Sequence, residues 1–471
     1  MLEFLQNNDT ICATATAPTK AALAVIRMSG TQSKRIVGKI FTPIRKSEGW
    51  TAEGYKLHYG SVYDGERLID DVLVSVFSAP HSYTGEDSVE ISCHGSPYIV
   101  QEILRLLLSH GARLAKAGEF TQRAYLNGKL DLSQAEAVAD LIASSSRAAH
   151  RLALSQMKGS YAQELSDLRA QLLHFSALME LELDFSEEDV EFVNRSELQS
   201  LAHTILARIE HLSNSFSVGN AIKHGVPVCI IGEPNVGKST LLNTILKEEK
   251  AIVSDIAGTT RDVIEDTVII QGVNFRFMDT AGIRSTTDHV EQLGINKTFS
   301  KIEQASIVLL LVNAGDTLPN IQQAITDIHR RVTAQQHVIV AVNKIDSISE
   351  KTRAQFTADR FPQLGKTDAI LCISAKNQEH IHELTSLLVE KAQVGNLNEH
   401  DVILSNARHY ECLQRAAESL RTVLSGLQQD IPNDLVCIDL RHTLQSIGEI
   451  TASISNDETL GHIFKHFCIG K

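Results

Sequence analysis

The eight residues Gly232-Glu-Pro-Asn-Val-Gly-Lys-Ser239 restrict the fold of this chain more than any other feature. They satisfy the spacing G-x-x-x-x-G-K-[ST] and follow Val226-Pro-Val-Cys-Ile-Ile231, a short apolar run of the kind that forms a buried parallel strand. Strand, glycine-rich turn and helix in that order make a phosphate-binding loop, because the glycines let backbone N–H groups curl round phosphate oxygens at a helix N-terminus. In that loop, Asn235, Val236, Gly237 and Thr240 border the nucleotide, Lys238 brings positive charge to the β and γ phosphates, and Ser239 offers a hydroxyl to Mg²⁺. Further apolar strands are expected at 274–278, 307–312, 338–342 and 369–373, each followed by a loop and a helix, so an α/β domain surrounds the loop.

Three more motifs stand in the order such a domain requires. Asp279, Thr280, Ala281 and Gly282 follow the strand at 274–278, where a carboxylate can hold Mg²⁺ through water and a glycine N–H can meet the γ-phosphate. Asn343, Lys344 and Asp346 follow the strand at 338–342, and Ser374, Ala375 and Lys376 follow that at 369–373. A carboxylate at Asp346 accepts two hydrogen bonds from the N1–H and N2–H₂ edge of guanine, and adenine has no matching donor pair, so GTP is the expected substrate. Between the first two motifs, Gly258-Thr-Thr-Arg-Asp262 reads as a switch loop with Thr260 as second Mg²⁺ ligand.

Hydrolysis poses a separate problem. Many small GTPases place a water-orienting Gln after the Asp-x-x-Gly motif, and here that position is Ile283, whose alkyl chain cannot position water. Arg284, Asp288 and Glu291 in the downstream stretch are the candidates to replace it. The charge an arginine finger would neutralise also needs a source, and the Asn235 side-chain oxygen suits a monovalent cation.

The rest of the chain sorts by pattern. Residues 1–128 mix β-rich runs at 71–77 and 88–92 with a periodic helix at 99–109, an α+β N-terminal domain. Residues 129–224 and 394–471 are helical, with Ala and Leu at three and four spacing, and they flank the α/β segment 225–393. The expected architecture is therefore multidomain, with a discontinuous all-α helical domain interrupted by an inserted α/β P-loop GTPase domain. A net charge of −13 over 471 residues excludes a chain-wide basic surface for nucleic acid, so an RNA partner needs a local patch or a second protein. No run is long and apolar enough for a membrane span and the first ten residues lack a signal-peptide pattern, so a cytoplasmic protein without a membrane partner is expected. The 7 Cys contain no Cys-x-x-Cys pair and read as small core residues, with Cys468 near the terminus set apart.

Strings outside the GTPase core make a family recognisable: Asp9-Thr-Ile11, Ser82-Tyr-Thr-Gly-Glu-Asp87, Gly118-Glu-Phe-Thr121 with Arg123-Ala124, Leu126-Asn-Gly-Lys129, Asp131-Leu132 with Gln134-Ala-Glu-Ala137, and Phe467-Cys-Ile-Gly-Lys471. Over essentially its full length the chain resembles the bacterial tRNA-modification GTPase family called MnmE or TrmE. The resemblance implies a folate-binding, dimerising N-terminal domain and work as a homodimer with an FAD-containing MnmG-like flavoprotein, a heterotetramer. It implies addition of an aminomethyl or carboxymethylaminomethyl group at carbon 5 of the wobble uridine in certain tRNAs, with tRNA held mainly through the complex. The one-carbon unit would come from a tetrahydrofolate derivative. In such a family K⁺ replaces the arginine finger, with Asn235, Ser254, Ile256 and Thr259 matching its ligands and Glu291 matching the water-orienting residue. Nucleotide contacts extend by the same match through Ser254, Asp255, Ile256, Ala257, Gly258 and Thr259. Folate positions carry over to Arg27, Glu90, Lys129 and Lys471, and Cys468 matches a terminal Cys that is either a modification residue or a structural thiol. Two rival readings are a GTP-controlled ribosome-assembly switch, which would need a basic RNA-binding domain, and a folate-dependent transferase whose GTPase fold is structural only.

Overall fold

The computed structural model describes residues 9–44, 54–184, 195–248, 266–278, 302–333, 336–365, 368–392, 402–429, 431–451, 467 and 470. The chain divides into two compact units, Met1–Ala143, Ala153–Ala207 and Cys412–Lys471 in one, and Ser144–Leu152 with Arg208–Glu411 in the other.

In the first unit, β1 (Thr10–Thr14), β2 (Leu23–Ser29), α1 (Ser33–Ile40), β3 (Phe41–Pro43), β4 (Lys56–Asp64), β5 (Arg67–Phe77), β6 (Ser88–His94), α2 (Pro97–Ser109) and β7 (Ala112–Leu114) succeed one another. Their sheet has the order β3-β4-β5-β6-β2-β1-β7, antiparallel throughout except for the parallel pair β1 and β7. Side chains alternate across a strand, so Val72, Val74 and Val76 of β5 point into the core with Ile36 and Val37 of α1 and Ile103 and Leu107 of α2. The opposite face leaves Leu57 and Tyr59 of β4 and Leu73 of β5 exposed, Tyr59 and Leu73 being direct cross-strand partners. The strand expected at 71–77 begins earlier, at Arg67, and the helix expected at 99–109 starts at Pro97, whose fixed φ and missing N–H suit a first helical turn. Cys12 and Cys93 are core residues, and burial pushes both thiols up to about 11.

Beyond the sheet come α3 (Glu119–Leu126), α4 (Leu132–Ala143), α5 (Arg147–Met157), α6 (Ser160–Asp184) and α7 (Arg195–Asn214). Phe120 of α3 packs with Ile11 and Ala13 of β1. On α6 the buried residues Tyr161, Leu165, Leu168, Leu172, Phe175 and Met179 recur at alternating spacings of four and three, the seam of a helix pair. α6 packs against the C-terminal helix, Asn433–Thr451, whose Val436, Leu440, Thr443, Ile447 and Ile450 repeat the same spacing.

The second unit holds α8 (Phe216–His224), β8 (Val226–Ile231), α9 (Lys238–Glu248), β9 (Asp266–Ile270), β10 (Val273–Met278), β11 (Ile307–Asn313), α10 (Leu318–His329), β12 (His337–Asn343), α11 (Glu350–Arg353), β13 (Ala369–Cys372) and α12 (Ile381–Lys391). Helices α13 (Ala407–Gln428) and α14 (Asn433–Thr451) end the described chain apart from residues 467 and 470. The sheet order is β13-β12-β11-β8-β10-β9, parallel except for the β9–β10 hairpin. Continuous apolar runs form these strands because helices cover both faces. Ile307, Leu309 and Leu311 of β11 meet Leu241 and Ile245 of α9 and Leu384 and Leu388 of α12, while Val308, Leu310 and Val312 meet Ile321, Ile325 and Ile328 of α10. The expected strand at 369–373 stops one residue early, at Cys372. Among the described residues no helix is long and apolar enough to cross a membrane.

Candidate functional site

The loop between β8 and α9 stands at the carboxyl end of a central parallel strand, where α/β sheets bind ligands. Asn235 and Gly237 have φ of 64° and 103°, and a Cβ on Gly237 would lie 2.4 Å from Asn343 Nδ2, so that position requires glycine on both counts. Lys238 folds back over the loop and donates from Nζ to the Gly232 and Glu233 carbonyls at 2.6 and 2.8 Å. Burial pulls its ammonium below the ordinary lysine value, with Glu233 opposing the shift. A partly desolvated cation held by carbonyls at the start of an eleven-residue helix gains stability from an incoming anion. Ser239 and Thr240 occupy the first turn of that helix.

The motifs expected to read the base are tied to this loop. Asn343 is 2% exposed; its Nδ2 donates to Val236 O at 2.7 Å and its Oδ1 accepts from Ala375 N at 2.9 Å. Lys344 donates from Nζ to Asn235 O at 2.7 Å. Ser374 Oγ donates to Asp346 Oδ1 at 2.6 Å, and this bond is the main reason the exposed carboxyl sits below the usual aspartate value. Thr244 of α9 adds a buried bond to Ala375 O at 3.0 Å. Three stretches far apart in sequence thus form one hydrogen-bonded unit with an ionised carboxylate at its rim. Lys376 is exposed beside it. Ser254, Asp255, Ile256, Ala257, Gly258, Thr259, Thr260, Asp279, Thr280, Ala281, Gly282 and Glu291 lie outside the described residues, as do Cys468 and Lys471.

A second polar cluster lies in the first unit. Arg27 and Glu90 are direct partners on β2 and β6; Arg27 donates from Nε to Glu90 Oε1 at 2.9 Å, and its Nη2 forms an ion pair with the same oxygen at 2.8 Å. Lys129 donates from Nζ to Pro80 O at 3.1 Å, so it leans on the loop between β5 and β6. That loop also carries Tyr83, whose ring lies 5.3 Å from the Arg27 guanidinium; the Phe120 ring lies 5.9 Å from it. Arg27 and Lys129 thus both border the loop between β5 and β6, Glu90 is tied to it through Arg27, and neither ring stands among the sequence-predicted residues. Gly470 is buried with φ of 97°, and a Cβ there would lie 2.2 Å from Thr14 O, so the end of the chain rests on the end of β1. Nearby, Arg123 of α3 joins Asp9 at 2.7 Å, Glu119 at 3.1 Å and Glu86 at 3.2 Å, and Arg113 joins Asp9 and Glu119, each at 2.6 Å. Burial pushes the Glu119 carboxyl up, but Arg113, the Lys116 N–H and Arg123 outweigh it and hold the group below its ordinary value.

Comparison with known proteins covers both units. The family model "GTP-binding protein TrmE N-terminus" matches residues 10–129 and the model "MnmE helical domain" matches residues 132–468. The chain is 52% identical to the tRNA modification GTPase MnmE of Bacteroides fragilis over 466 residues, covering 99% of this chain and 100% of that protein. It is 52% identical to the protein of the same name from Bacteroides thetaiotaomicron over 468 residues (99% and 100% covered) and 47% identical to that from Flavobacterium johnsoniae over 468 residues (99% and 100%). With half of all positions shared from end to end, and both the phosphate loop and the N-terminal cluster inside the matched span, the chain belongs to the MnmE (TrmE) family of tRNA modification GTPases.

Proposed function

We propose that this chain hydrolyses GTP to drive modification of tRNA at carbon 5 of the wobble uridine, adding an aminomethyl or carboxymethylaminomethyl group together with an MnmG-like FAD protein. Full-length similarity to proteins named tRNA modification GTPase carries the reading. The domains are 1–128 for folate binding and dimerisation, 129–224 and 394–471 for the two parts of the helical domain, and 225–393 for the GTPase.

Lys238 and the first amides of α9 hold the phosphates, Asp346 takes the guanine N–H edge, and Asn343 and Lys344 fix the base loop against the phosphate loop. This assignment is supported by the bonds from Asn343 to Val236 and Ala375. Mg²⁺ held by Ser239 and Thr260 would neutralise phosphate charge, and K⁺ held by Asn235, Ser254, Ile256 and Thr259 would add the charge an arginine finger supplies elsewhere. Glu291 orients the attacking water. Arg27 and Glu90 give a donor and an acceptor side by side, which fits the amino-oxo edge of a pterin, and Lys129 and Lys471 suit anionic glutamate. A bound tetrahydrofolate derivative would supply the one-carbon unit. The exposed row of Leu57, Tyr59 and Leu73 on the outer sheet face supports a homodimer, since such a row is costly to leave in water. tRNA binds mainly through the complex, in keeping with a net charge of −13, and the protein works in the cytoplasm.

GTP turnover of the purified protein in equal K⁺ and Na⁺ tests the catalytic part: turnover is expected to be much faster in K⁺, and equal rates would refute the cation assignment. Mass spectrometry of wobble nucleosides tests the rest, and unchanged uridine modification in cells lacking the protein would end it.

A further inference from the structure

We infer that Tyr83 is a positioning residue of the N-terminal ligand site, its ring holding the Arg27 guanidinium where it pairs with Glu90. The inference rests on the folate reading above and adds to it a residue with no part in the sequence-derived set. Arg27 donates one hydrogen bond to Glu90, from Nε to Oε1, and its Nη2 makes its ion-pair approach to that same oxygen. A fork-to-fork pair uses both oxygens and so fixes the guanidinium plane; a pair through one oxygen leaves the head free to swivel. Among the described residues, neither Arg27 Nη1 nor Glu90 Oε2 has a hydrogen-bond partner. Something else must then set their separation.

Two rings do so. Tyr83 and Phe120 both lie within cation–π range of the guanidinium, at 5.3 and 5.9 Å. Phe120 is fully buried and fixed by the core. Tyr83 is 36% exposed, and its place is set mainly by the loop that carries it; its hydroxyl also shares a hydrogen bond of 2.8 Å with Thr121 Oγ1, which is fully buried. The loop that carries it is held at either side, by Asn127 Nδ2 donating to Thr84 O at 2.7 Å and by Lys129 at Pro80 O. An exposed ring at the rim of a half-buried ion pair adds little to core packing. Its removal should free Arg27 while leaving the fold intact.

The test is 5-formyltetrahydrofolate binding to the full-length protein by calorimetry, with Tyr83→Ala and Tyr83→Phe beside the wild type. Tyr83→Ala is expected to weaken binding by about threefold to thirtyfold, the range of one cation–π contact from exposed to desolvated. Tyr83→Phe keeps the ring and is expected to stay within about threefold of wild type. Neither variant should alter GTP turnover, and because both leave the buried Thr121 Oγ1 without its 2.8 Å partner, both should lower the melting temperature of the free protein to a similar degree. Wild-type affinity in Tyr83→Ala, or equal loss in both variants, would overturn the inference. A wild-type protein that binds no folate would overturn the folate reading itself, and the inference with it.

Discussion

Replacing Asn343 by Ala should unlock the nucleotide site. The side chain is 2% exposed and closes two bonds to backbone groups, Val236 O at 2.7 Å and Ala375 N at 2.9 Å. An alanine methyl satisfies neither, and each orphaned buried group costs about 1–3 kcal/mol, so the loss is roughly 2–6 kcal/mol of local stability. Because those bonds hold the phosphate loop and the 374–376 stretch in one arrangement, most of that loss should appear as weaker nucleotide binding, at about tenfold per 1.4 kcal/mol. Thr244→Val is the graded control: it removes one hydroxyl, which reaches both Thr240 O at 2.9 Å and Ala375 O at 3.0 Å, and keeps a side chain of similar volume. Its expected cost is about 1 kcal/mol. Calorimetry of GDP binding and thermal melting with and without GDP measure both variants. The reasoning fails if Asn343→Ala binds GDP within about threefold of wild type, or if the two variants are equally affected.

Glu291→Ala should leave GTP affinity within about threefold while turnover falls by about two orders of magnitude, since an interaction used in the transition state alone is removed; a matching loss of affinity would mark the residue as structural. Acid should destabilise the first unit. Asp9 and Glu119 are held below their ordinary values, so their contribution is full above the unfolded values and is lost as pH falls through the folded ones. Glu119→Gln should flatten that acid slope in pH-dependent melting, and an unchanged slope would contradict the assignment. Gly470→Ala should dislodge the chain end from Thr14 O, because both the positive φ and the 2.2 Å approach exclude a methyl group. Limited carboxypeptidase digestion should then trim the variant faster than wild type, and equal rates would count against a docked end.

The GTPase half was legible because its chemistry is carried by contiguous residues. A loop such as 232–239 states its own function, and the strands announce themselves as apolar runs because helices cover both faces of the sheet. Strand ends were less legible where the pattern turns polar, as at Arg67-Leu-Ile-Asp70, since edge pairing there is decided by β4 and not by burial. Distant pairings were least legible. Asn343 is 107 residues from Val236 and Arg27 is 63 from Glu90, distances over which no periodicity carries information. The aromatic contact between Tyr83 and Arg27 is of the same kind.

Four of the strings that identified the family share a physical meaning that none of them reveals alone. Asp9-Thr-Ile, Ser82 to Asp87, Gly118 to Thr121 and Arg123-Ala each contribute one charge to the same network: Asp9, Glu86, Glu119 and Arg123. Arg123 is 8% exposed and Glu119 7%, and a charge so placed is tolerated when its partner is present and costs about 3–5 kcal/mol when the partner is removed. The strings are therefore conditional on one another, which is why a set of short matches in fixed order says more than their lengths suggest. The same network ties the start of β1 to α3 and to the loop that carries Tyr83. Neutralising Arg123 should consequently disturb ligand binding at Arg27 as well as stability, whereas a charge-balanced loss on the exposed Arg105–Asp64 pair, equally close at 2.5 Å, should do neither.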